Sequence, residues 1–84
     1  MTVLDVAIIK ELGIDFAVVA VKDHVLLNRT AAEEACAAFG RRLSRPAIIV
    51  GEHNLRTYGR PDIVRYLQGY SWDRLPWQRI NVPD

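Results

Sequence analysis

Four side chains capable of acid–base or metal chemistry fall in two short strings, Lys22-Asp23-His24 and Glu52-His53-Asn54. Imidazole beside carboxylate can ligate a divalent metal or work as a proton-transfer couple near neutral pH. Neighbouring residues of an extended chain point to opposite faces, so each pair needs loop geometry to converge. The plain alternative is two solvated loop ends, and no catalytic or metal-binding residue is assigned from the spacing. Cys36 is the single cysteine, which leaves neither an internal disulfide nor a multi-cysteine zinc site. Its place on an apolar helical stripe makes it a small hydrophobe rather than a thiolate.

Charge is distributed unevenly along the chain. Residues 1–40 hold three basic against six acidic side chains, and residues 41–84 hold eight against four, net charges of −3 and +4 within a total of +1. The second half also carries Tyr58, Tyr66, Tyr70, Trp72 and Trp77, five of the seven aromatics. Guanidinium groups with aromatic planes suit protein interfaces as anchors. They also suit phosphates and unstacked bases. The region from residue 56 to 79 is therefore the expected contact surface, with Arg56, Tyr58, Arg60, Trp72 and Trp77 as its binding residues. Trp72 and Trp77 would equally serve as core residues closing a small sheet. A nucleic-acid or phosphate reading would use Arg41, Arg42, Arg45, Arg56 and Arg60, but the near-neutral total lacks a strongly basic footprint. Arg41, Arg42 and Arg45 bracket a helix end, where cations oppose the negative pole of the dipole. In Tyr58-Gly59-Arg60-Pro61-Asp62, the opening of a helix could receive an anion. Pro61 removes one donor, however, and Asp62 would either repel the anion or pair with Arg60.

The elements that must position these residues follow from periodicity. Leu4, Ile8 and Leu12 recur every four residues behind Thr2 and Asp5, which resemble a capping box, and Gly13 offers a stop, so a helix is expected over residues 2–12. The β-branched Val3, Val6, Ile8 and Ile9 would also suit an edge strand. Phe16 to Val21 and Pro46 to Val50 are unbroken apolar runs, as strands buried on both faces require. Between them Thr30 and Glu33 form a capping box, and Ala32, Cys36, Phe39 and Leu43 make one helical stripe. Two strands joined through a helix must run parallel. Gly51 to Asn54 reads as a turn leading to a hairpin strand at Leu55 to Tyr58, and Pro61 opens a helix ending near Gly69. Tyr70 to Asp84 is expected to hold one helical turn and a last edge strand before Pro83.

Residues 2 to 68, read as helix, strand, helix, strand, hairpin strand and helix, resemble the thioredoxin fold lacking its first strand. The resemblance is topological and rests chiefly on Pro46-Ala-Ile-Ile-Val50, the hairpin, Gly59 and the helix through Leu67. It implies an α/β sandwich with Pro46 in the position of a cis-proline, although a trans proline opening a strand is the commoner arrangement. Where the redox cysteines of that family would stand, the chain has Lys22 to Arg29 and no cysteine, so disulfide exchange is not implied.

With 84 residues, 50% hydrophobic and 25% charged, the chain is expected to form one small domain. Such a domain hides only roughly 60 to 65% of its unfolded surface, which favours subunit pairing. No run of roughly 18 apolar residues spans a membrane, and no signal peptide is evident, so a cytoplasmic location is expected. The functional expectation is a non-catalytic binding or protein-interaction module without a cofactor, paired with itself or another protein. Nucleic-acid or phosphate binding is the first alternative. A metal-assisted hydrolase built from Asp23, His24, Glu52 and His53 is the second.

Overall fold

The computed structural model describes residues 2–11 and 13–82. The expected helix at the start is instead a strand, β1 (Thr2–Glu11), joined through Gly13 to an antiparallel strand, β2 (Ile14–Val21). A spacing of four residues is common to a helical face and to a strand of period two, so Leu4 and Ile8 fit either. The β-branched residues decide the matter, and β1 lies between β2 and the final strand rather than at an edge. Gly13 does adopt positive φ (+74°), but within a strand-to-strand turn instead of a helix stop. Leu12 and Pro83, both used in the sequence reading, lie outside the described residues.

The strand, helix and strand unit is present. Helix α1 (Arg29–Leu43) connects β2 to β3 (Ala47–Gly51), and the two strands are parallel, with Val18 opposite Ile48 and Ala20 opposite Val50. The cap of α1 is Asn28, whose side chain accepts from the Ala31 N–H at 3.1 Å, two residues ahead of the expected Thr30. Strand β4 (Thr57–Tyr58) returns antiparallel to β3, and α2 (Pro61–Leu67) begins on Pro61. A 3-10 turn (Trp72–Arg74) leads to β5 (Trp77–Val82), the expected edge strand, which pairs antiparallel with β1. The mixed sheet has the order β4-β3-β2-β1-β5. No cis peptide bond occurs among the described residues, and the bond before Pro46 is trans.

Alternation along the strands divides the core into two layers. Ala7, Phe16, Val18, Ile48 and Val50 face α2 and the C-terminal segment, meeting Ile63, Leu67 and Leu75. Val6, Ala17, Val19, Val21 and Ile49 face the other way, onto Ala32 of α1. Phe16, Ile48, Ile63 and Leu67 are wholly buried, and each contributes about 2 kcal/mol through apolar area removed from water. Among the described residues, no helix is long and apolar enough to cross a membrane.

Candidate functional site

Strands β2 and β3 end side by side, and their polar extensions meet. Asp23, opening a 3-10 turn (Asp23–Leu27), accepts through Oδ1 from the backbone N–H groups of His53 at 2.9 Å and Asn54 at 3.2 Å. His53 Nδ1 lies 3.7 Å from Asp23 Oδ2. The two backbone donations and the nearby imidazoles hold the Asp23 carboxyl below the usual range against a partial desolvation. Asp23 thus ties the β3–β4 loop to the end of β2. Glu52 is engaged elsewhere, 3.7 Å from Lys22 Nζ, and its backbone N–H donates to the Val21 carbonyl at 3.0 Å. Of the four residues considered for metal chemistry, only Asp23 and His53 touch. Among the described residues, no three His, Cys, Asp or Glu side chains are grouped as a metal site requires.

The five residues expected to form one contact surface belong to two segments, Arg56, Tyr58 and Arg60 around β4 and the two tryptophans before and within β5. Tyr58 stands on β4 and donates its hydroxyl to Glu33 of α1 at 3.1 Å. Arg60 turns onto Asp62 in a two-point pair at 2.9 and 3.2 Å, the pairing weighed against an anion site at this helix start. Arg56 is exposed in the β3–β4 loop, where its backbone N–H donates to Asn54 Oδ1. Trp72 and Trp77 pack beside the opposite core layer, and the Trp77 indole N–H donates to the Trp72 carbonyl at 2.6 Å. Of the other arginines considered for phosphate, Arg41 and Arg42 lie in the last turn of α1, and Arg45 donates from Nε to the Leu43 carbonyl. Cys36 donates to the Ala47 carbonyl at 2.9 Å, and burial pushes its thiol pKa up, away from thiolate chemistry.

Around the tryptophans, beyond the carboxyl ends of β2 and β3, lies a groove of about 590 Å³. Ala20, Val50 and Leu55 supply its apolar lining, and Asp5, Glu52 and Asp73 its charge. Leu55 holds φ at +57° and is half exposed beside the groove. Open parallel sheets commonly bind ligands at this place. Sequence reasoning missed Asp5 and Asp73. The signal for Asp5 was its position as the one charged residue between Val3 and Ala7, and the helical reading of β1 concealed it.

A second surface lies on the α1 side of the sheet. Helix α1 lies over β2 and β3, while Leu4 and Ile8 of β1 and Ile80 of β5 remain partly exposed beside it. Strand β5 is the outer strand there, and its Arg79 Nε reaches Asp5 Oδ1 at 3.4 Å. Comparison of the chain with protein-family models, curated proteins and solved structures finds no match in any of the three.

Proposed function

We propose that the protein is a non-catalytic interaction module that works as a homodimer, with β5 of one copy pairing antiparallel with β5 of the other. The observation that carries this reading is the half-covered sheet ending in an open strand. An edge strand offers a row of unpaired backbone donors and acceptors, and adding a second strand satisfies them. A two-fold axis perpendicular to the sheet keeps both α1 layers on one side, so each residue faces another of the same parity. Centring the axis on Arg79 would oppose two guanidinium groups directly, which costs energy. Centring it on Ile80 sets Ile80 against Ile80 and Arg79 against Asn81, and continues the strip of Leu4, Ile8 and Ile80 across the junction.

Of the thioredoxin-type arrangement expected from the sequence, the order β2, α1, β3, β4 and α2 remains, without its leading helix and with a trans bond before Pro46. β1 belongs to a hairpin that this likeness does not include. As a fold-level likeness it carries no activity to this chain.

Sedimentation over a range of protein concentrations tests the pairing. A dimer is expected for the wild type and a monomer with unchanged circular dichroism for Ile80→Lys. A wild type that stays monomeric at high micromolar concentration, or an Ile80→Lys protein that still dimerises, removes the reading.

A further inference from the structure

Trp72 and Trp77 are the only two tryptophans of the chain, and both line the groove at the carboxyl ends of β2 and β3. The charged side chains lining that groove are Asp5, Glu52 and Asp73, with no Lys or Arg among its described lining residues. Arg79 and Lys22 reach Asp5 and Glu52 from outside, each through a single contact at 3.4 and 3.7 Å from a side chain 76 and 74% exposed. Ion pairs of this kind are weak and easily exchanged. Trp77 has already committed its indole N–H to the Trp72 carbonyl, so that donor is not free for a ligand. The quadrupole of an indole face attracts cations, and carboxylates at the same place add to that attraction. An anion would meet the Asp73 carboxylate beside the paired Asp5 and Glu52.

We propose that this groove binds a small organic ammonium ion, its charged nitrogen held by the indoles and carboxylates and its hydrocarbon part lying against Val50 and Leu55. The volume of about 590 Å³ falls within the range of small-molecule sites. The site is complete within one copy, so it stands independently of the pairing through β5.

Choline and butylammonium, each titrated against the protein at matched chloride concentration, serve as probes, with tryptophan fluorescence as the readout. Both emitters lie in the groove, so a saturable change is expected from at least one of the two cations. The uncharged isostere 3,3-dimethylbutan-1-ol is expected to bind about tenfold or more weakly than choline, the loss of a desolvated cation–π contact. Glu52→Gln with Asp73→Asn changes two exposed carboxylates and is expected to weaken binding about tenfold at an unchanged denaturation midpoint. Should that pair of changes impair folding, Asp73→Asn alone serves, with weaker binding expected. No saturable response to either cation, an equal response to the neutral isostere, or undiminished binding by the folded variant would overturn the proposal.

Discussion

Gly59 and Asp23 show how single positions hold the two ends of β3 in place, Gly59 beside Ile48 at its start and Asp23 on the loop that follows it. Gly59 sits at φ +155° beside β3, and a Cβ there would fall 2.1 Å from Ile48 Cδ1 and 3.2 Å from Ile48 Cα. Backbone cannot yield as a side-chain tip can, so Gly59→Ala should lower stability by about 2 kcal/mol, read as a shift in the urea midpoint. Asp23 acts through backbone donors, so Asp23→Ala should lower the thermal midpoint at neutral pH, while His53→Ala should leave it nearly unchanged. The folded pKa of Asp23 lies below its unfolded value. Its stabilising contribution is therefore present above the unfolded pKa and disappears as pH falls through the folded one. The gap between wild type and Asp23→Ala should close on acidification, as thermal melts at several pH values would show. A gap that widened instead would mean that the carboxyl is stabilised in its protonated form. The loop residues Asp23 and His53 were legible as chemistry-bearing types, but their pairing depends on two strand ends thirty residues apart in sequence.

Helix α1 was readable because its stripe of Ala32, Cys36, Phe39 and Leu43 fits no strand. Its start was read two residues late, since Thr30 with Glu33 matches a capping pattern while Asn28 holds the actual cap. Asn28→Ala should therefore cost about 1 kcal/mol in chemical denaturation, and Thr30→Ala distinctly less. Equal losses would show that the cap is shared. Strand β1 was misread for the opposite reason. Its apolar spacing is compatible with both periods, and its strand character is completed by partners on both sides, β2 through the local turn and β5 from the far end of the chain. Native-state hydrogen exchange should find the amides of β1 and β2 among the slowest in the protein. Rapid exchange throughout β1 would mean that β5 does not hold it.

The chain closes on itself, and its last segment completes both the sheet and the core. Asp5 meets Arg79, and Leu75, 9% exposed, packs with Phe16, Ile63 and Leu67. A domain of 84 residues has little stability to spare. Leu75→Ala should cost about 2 to 4 kcal/mol, and a chain ending at Gln68 should lose its cooperative unfolding transition, followed by circular dichroism. A truncated chain that still unfolds cooperatively would show that β1 is stable as an edge. This segment also carries Trp72, Asp73 and Trp77 into the groove, so the proposed ligand site and the integrity of the sheet share the same fifteen or so residues, roughly the length of a few turns and one strand.

Local chemistry in the amino-acid order was enough for the parallel β2 and β3, the helix between them, the hairpin to β4, the proline-led α2 and the closing strand. Each of these is written in a short window by a periodicity, a cap or a turn residue. The internal placement of β1, the meeting of Asp23 with His53, and the packing of Tyr58 and the two tryptophans on opposite core layers came from long-range pairing. Strand partners and side-chain facing depend on which distant segment supplies the complementary hydrogen bonds and apolar surface, and no short window of residues contains that information.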